Sequence, residues 1–192
     1  GELEGQAYDE LIYEGYAPGG VALLIEAMTD NRNRTAADLR LIFSKNHGNL
    51  ATSGSVAYLF HKRGQITVPV SATKEEDLFE IVLEAGAEEL TRESTSKGDK
   101  TDSREQDGEG DHFLITTAAD RLYAVGEVLK QHGIPTDSVK LVYLPETTVS
   151  VEDEATAAQV LRLCDALEEC DDVQSLHANF DISDELLARI SA

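Results

Sequence analysis

Six consecutive residues, Asp30-Asn31-Arg32-Asn33-Arg34-Thr35, carry the densest chemistry in this 192-residue chain. They lie between an apolar run and a segment with helical spacing, which places Arg32 and Arg34 just before a helix N-terminus. Free backbone N–H groups at such an end favour an anion. Two guanidiniums beside them, with Asn31 and Asn33 as donors, make a seat for phosphate or carboxylate. Arg40 and Lys45 continue the positive charge along the same helix, and His61, Lys62 and Arg63 cluster further on. The candidate nucleic-acid or anion-binding set is therefore Asn31, Arg32, Asn33, Arg34, Thr35, Arg40 and Lys45. A structural reading stands beside it: among so many carboxylates the arginines bridge parts of the fold, with Asp30 as a ready partner.

Catalytic devices are not apparent. The five histidines, at 47, 61, 112, 132 and 177, fall on five different elements, none at metal-ligand spacing from a second histidine or cysteine. No Ser–His–Asp or Cys–His pattern occurs, and paired carboxylates are too common here to be diagnostic. The glycines at 15, 19 and 20 precede a strand rather than a helix, so they cannot cradle a dinucleotide and are read as turn residues with positive φ. Cys164 and Cys170 make no disulfide framework; they read as small core or surface thiols. No catalytic residue, metal or cofactor is expected.

Sixteen Lys and Arg stand against 37 Asp and Glu, a net charge of −21. Phosphate backbones repel such a chain, because nucleic-acid affinity comes mainly from cations that displace counterions. Contact with a polyphosphate therefore needs a local basic patch, or a basic domain outside this sequence. No apolar run approaches the roughly 20 residues of a membrane span, the first residues lack a signal-peptide pattern, and a cytoplasmic setting is expected.

The elements that must position the candidate turn follow from periodicity. Residues 8–14 and 20–28 form a hairpin around Ala17-Pro18-Gly19-Gly20. A helix over 35–45 carries Leu39, Ile42 and Phe43, capped by Thr35 with Asp38 completing a box, and Gly48 is its left-handed stop. Strands are expected at 56–62 and 65–70, with Pro69 suggesting an edge position. A helix over 75–85, strands at 88–93 and 112–117, a helix over 120–132 and a strand at 139–144 close a βαββαβ unit. A strand at 147–151, a helix over 154–167 and a strand at 174–180 then complete a first unit left open at residue 62. The expected fold is α+β, with two ferredoxin-like βαββαβ units, one inserted into the other. The outer domain takes residues 1–63 and 146–192, and the inserted one 64–145. Residues 94–111 contain no apolar side chain and read as a flexible loop.

These segments resemble the core signature of the YebC family of gene-expression regulators, which includes mitochondrial translational activators of cytochrome oxidase. The resemblance runs through Tyr8-Asp9-Glu10-Leu11-Ile12-Tyr13-Glu14-Gly15-Tyr16, the turn at 30–35 and Gly48-Asn49-Leu50. It continues in Gly54-Ser55-Val56-Ala57-Tyr58-Leu59-Phe60, Glu84-Ala85-Gly86-Ala87-Glu88 and Cys170-Asp171-Asp172-Val173-Gln174. It implies the family's second and third domains without its basic N-terminal helical domain, and a bacterial type of member. The long polar loop at 94–111 departs from the family's short hairpin. The implied function is non-enzymatic regulation of gene expression. The favoured partner is the ribosome or RNA, with DNA as the alternative, reached mainly through the absent basic domain. A transcription factor should show a recognition helix with base-reading side chains, and none is visible. A ligand-sensing α+β module is a third reading; no membrane and no small-molecule substrate are expected.

Overall fold

The computed structural model describes residues 7–94 and 111–191, so the expected loop, apart from its ends at Ser94 and Asp111, lies outside the described residues. In chain order the elements are β1 (Asp9–Ala17), β2 (Val21–Thr29), α1 (Arg32–Lys45), β3 (Asn49–Ala51), β4 (Phe60–Pro69), α2 (Glu75–Glu84) and β5 (Glu89–Ser94). There follow β6 (Asp111–Ala118), α3 (Leu122–Gln131), β7 (Ser138–Pro145), β8 (Val149–Ser150), α4 (Glu154–Glu168), β9 (Val173–Ala178), β10 (Phe180–Asp181) and α5 (Asp184–Ser191). The chain divides into two compact units: residues up to His61 together with those from Leu144 onward, and the intervening Lys62–Tyr143.

In the first unit β1 and β2 pair antiparallel from Asp9↔Thr29 to Ala17↔Val21. Their turn is possible because Gly19 and Gly20 take φ of 81° and 77°, a region costly to residues with a Cβ. The sheet order is β3-β1-β2-β9. Val21, Leu23 and Ile25 of β2 alternate onto one face and pack with Leu39 and Phe43 of α1 and with Val160, Leu163 and Leu167 of α4. Gly15 lies where β1 passes under α1: a Cβ there would stand 2.5 Å from Phe43 Cζ and 2.9 Å from Asn49 O. Its glycine answers to close packing rather than to the positive φ expected from the sequence.

The second unit has sheet order β5-β6-β4-β7. Numbered within the unit this is 2-3-1-4, the ferredoxin-like arrangement, with β4 and β5 each antiparallel to β6. Ile66, Val68, Phe113 and Ile115 of the sheet meet Leu78 and Val82 of α2 and Leu122, Val125 and Leu129 of α3. The fold is thus α+β with ferredoxin-like units.

Several local expectations are corrected. The strands expected at 56–62 and 65–70 are one strand, β4, preceded by a 3-10 turn over Ala57–Leu59. Gly64 lies within that strand, at a point where a Cβ would strike Thr117 and Leu122. β4 is interior, not an edge; Pro69 is tolerated as its last residue, where a missing N–H costs little. The slot in the first sheet next to β2 is filled by β1, so the strand expected at 147–151 shortens to Val149–Ser150 and pairs in parallel with β10 instead. Helix α5 was not foreseen; its signals were Ser183, whose Oγ accepts from the Leu186 N–H at 3.2 Å, and the spacing of Leu186, Leu187 and Ile190.

Candidate nucleic-acid interface

The turn at 30–35 is built by short polar side chains. Thr29 Oγ1, at the end of β2, accepts from the Asn31 N–H at 3.0 Å. Asn31 is extended (φ −144°, ψ 96°), and its side-chain oxygen accepts from the Arg34 N–H at 3.1 Å, the geometry of an N-cap. Helix α1 therefore starts at Arg32, three residues before the start expected with Thr35 as cap. Thr35 is instead buried, and its hydroxyl donates to Asp172 Oδ2 at 2.8 Å. At the other end His47, not Gly48, takes the left-handed conformation, with φ 62°. Gly48 is needed because a Cβ would lie 2.7 Å from both Leu163 Cδ2 and Tyr16 O.

Both arginines of the turn are engaged within the chain. Arg32 Nε donates to Asp9 at 2.9 Å, with both side chains about half exposed or more. Arg34 Nη2 lies 2.9 Å from Asp30 Oδ1 and 3.1 Å from Asp172 Oδ1, with Thr29 Oγ1 at 3.3 Å. The bond to Asp9 raises the pKa of Arg32, and those to Asp30 and then Asp172 raise that of Arg34. Asp172 is only 16% exposed, and its backbone oxygen also accepts from the Met28 N–H at 2.8 Å. A carboxylate of the chain itself thus stands at the start of α1, where charge and free N–H groups favour an anion. Beneath it, burial raises the Tyr13 pKa; Arg32 opposes the rise and Asp172 adds to it.

The outer face of α1 differs. Arg40, Leu41 and Lys45 are exposed, Leu41 by 53%. Among the described residues, no hydrogen bond or ion pair engages Arg40 or Lys45. The structure therefore divides the seven candidates into an internally bonded turn and two cations with extended reach. The cluster at 61–63 is similarly dispersed: His61 faces Glu146 at 3.8 Å, Lys62 lies 5.9 Å from the Tyr143 ring centroid, and Arg63 faces Glu88 at 3.3 Å.

One anchoring residue escaped sequence reasoning. Glu14 is 3% exposed, yet its carboxylate accepts from the backbone N–H groups of Gly54 (2.6 Å), Val56 (2.8 Å) and Ala57 (2.6 Å). Burial alone would raise its pKa; the bonds from Val56, Gly54 and Ala57 outweigh that and hold it below the ordinary glutamate value. Its one signal is a carboxylate set inside the run Leu11-Ile12-Tyr13-Glu14-Gly15-Tyr16, and so acidic a chain hid it. Elsewhere, His177 lies 3.0 Å from Glu26. His132 Nδ1 lies 2.9 Å from the Val128 carbonyl. No group of three or more His, Cys, Asp or Glu among the described residues could hold a metal ion. Cys164 is buried, its thiol pushed up to about 12 by burial and then by Glu168 and Asp165. Two concavities, of about 570 Å³ beside α3 and about 290 Å³ beside α5, are open to solvent. No helix of the described residues is long and apolar enough to cross a membrane.

Residues 8–180 match the profile of a family described as the TACO1/YebC second and third domain. The chain is 48% identical over 188 residues to a "probable transcriptional regulatory protein" of Rubrobacter xylanophilus, covering 98% of this chain and 68% of that one. It is 45% identical over 190 residues to a protein of the same description from Aquifex aeolicus, covering 99% and 70%. Among solved structures it resembles the conserved hypothetical protein Aq1575 of Aquifex aeolicus. The TM-score there is 0.76 at 45% identity, over 95% of this chain and 68% of that one.

Proposed function

We propose, from the premise that this chain belongs to the TACO1/YebC family, that it is a non-catalytic regulator of gene expression acting on RNA of the translating ribosome. The observation that carries this reading is the charge of α1. Four of the sixteen Lys and Arg of the whole chain, Arg32, Arg34, Arg40 and Lys45, fall within its 14 residues; Asp9, Asp30 and Asp172 pair with the first two, and among the described residues no carboxylate pairs with Arg40 or Lys45. A polyphosphate is repelled by most of a chain of charge −21, so α1 sets which face can approach one. The test is co-sedimentation of the chain with ribosomes over a salt series. Pelleting at low ionic strength that fades as salt rises is expected; a chain left in the supernatant at every salt concentration refutes the proposal.

The relatives are called probable transcriptional regulatory proteins, which supports a second reading, regulation of transcription, here taken to act through duplex DNA. It requires retention of a defined promoter duplex over unrelated sequence at equal salt. The outward crest of α1 supports the first reading, because Ala37, Leu41 and Ser44 offer no bidentate partner for a base edge.

A further inference from the structure

We infer that the outward face of α1 is a docking ridge for duplex RNA, on which Arg40 and Lys45 reach the two phosphate backbones while Ala37, Leu41 and Ser44 rest in the minor groove. This rests on the proposed ribosomal function and specifies its contact surface.

Helix geometry fixes the ridge. With Thr35, Leu39 and Phe43 buried, about 100° per residue sets Ala37, Leu41 and Ser44 along the opposite side. Arg40 and Lys45 fall on opposite flanks of that line, about 7.5 Å apart along the axis at 1.5 Å per residue. All of Ala37, Arg40, Leu41, Ser44 and Lys45 are exposed. Leu41, 53% exposed on a solvent-facing helix, has no internal packing role of comparable extent. Among the described residues no carboxylate pairs with either flanking cation, in contrast to Arg32 and Arg34, whose carboxylate partners lie within 3.1 Å. An arginine already neutralised by Asp30 and Asp172 releases few counterions on meeting a phosphate; Arg40 and Lys45 release their full share. Asp38, on the Lys45 side, is the one carboxylate of the helix and narrows the patch.

The shape of the ridge selects RNA. The A-form minor groove is wide and shallow and is recognised by shape, by 2′-hydroxyls and by phosphates on either side. A low ridge of alanine, leucine and serine suits that surface, and the Ser44 hydroxyl is a partner for a 2′-hydroxyl. The major groove of DNA, about 8.5 Å deep, calls for long base-reading side chains along the helix crest, which the residues at 37, 41 and 44 do not supply.

The test is fluorescence anisotropy of the chain on a labelled RNA duplex of about 16 base pairs, and on DNA of the same length, over a salt series. Arg40→Gln plus Lys45→Gln is compared with the parent, with thermal melting as the check on folding. The parent is expected to bind RNA more tightly than DNA. The double variant should melt as the parent does, lose about tenfold or more in RNA affinity at low salt, and flatten the log–log salt slope by about 1.5 to 2. If the double variant keeps the parental affinity and slope while the parent pellets with ribosomes, this inference is overturned and the ribosomal reading survives. Tighter binding to DNA through the same two residues overturns the RNA assignment. A parent that binds neither RNA nor ribosomes overturns both.

Discussion

Replacing Glu14 by glutamine probes how a buried charge holds the loop at 52–57 to β1. The carboxylate accepts three backbone N–H bonds at 2.6 to 2.8 Å in a site only 3% exposed. Glutamine keeps one oxygen, able to receive the Val56 and Ala57 N–H groups, but as a neutral acceptor of about half the strength. Its amide nitrogen meets the Gly54 N–H, donor against donor. Losing one charge-assisted bond at about 1.5–3 kcal/mol and weakening two others gives a loss of about 2–4 kcal/mol. With an m-value of about 2 kcal/mol/M, the urea midpoint of the first unit falls by about 1–2 M. Amide exchange at Gly54, Val56 and Ala57 reports the local opening. The pH dependence carries the sharper test. Because the folded Glu14 pKa is lowered, its contribution is complete above the unfolded value of about 4.3 and is lost as pH falls through the folded value. The gap between parent and variant therefore narrows below about pH 4. A Glu14→Gln chain as stable as the parent at pH 7, or a gap that stays constant down to pH 3, refutes the account.

Three further outcomes follow from the same geometry. Asp172→Ala vacates the start of α1 and frees one side of Arg34; the variant melts lower than the parent and is stabilised more than the parent by millimolar inorganic phosphate in a thermal-shift assay. Under native conditions a thiol reagent modifies Cys170 and spares Cys164, whose thiol is buried and raised to about 12, while both react in denaturant; mass spectrometry separates the two. His47→Gly relieves a left-handed conformation (φ 62°), and after the added entropy of the unfolded glycine the chain gains about 0.5–1 kcal/mol in chemical denaturation.

The regular elements were legible wherever one periodicity held. Leu39, Ile42 and Phe43 announced α1, and the stripes of Leu78 and Val82 and of Leu122, Val125 and Leu129 announced α2 and α3. What failed depended on partners distant in sequence. Gly15 and Gly48 look alike as local turn signals, but each is glycine because a neighbouring side chain or backbone group leaves no room for a Cβ. The cap of α1 shifted from Thr35 to Asn31 because Asp172, 137 residues further on, claims the Thr35 hydroxyl. The candidate site shows the same limit. Its basic residues could be read from the sequence, but their division could not. Arg32 and Arg34 are bound by Asp9, Asp30 and Asp172, whereas no carboxylate among the described residues binds Arg40 or Lys45, and that depends on which carboxylates the fold delivers.

The pairing of β2 with β9 has a consequence during synthesis. When β2 leaves the ribosome, the strand that will cover its open side is still about 145 residues from being made. At 5–20 residues per second that wait is about 7–30 s. All of Lys62–Tyr143 emerges in the interval, so the interior unit can mature while the exterior one keeps a bare, apolar β edge. The nascent polypeptide is most exposed to mispairing in that window, and slowing elongation past residue 143 lengthens it.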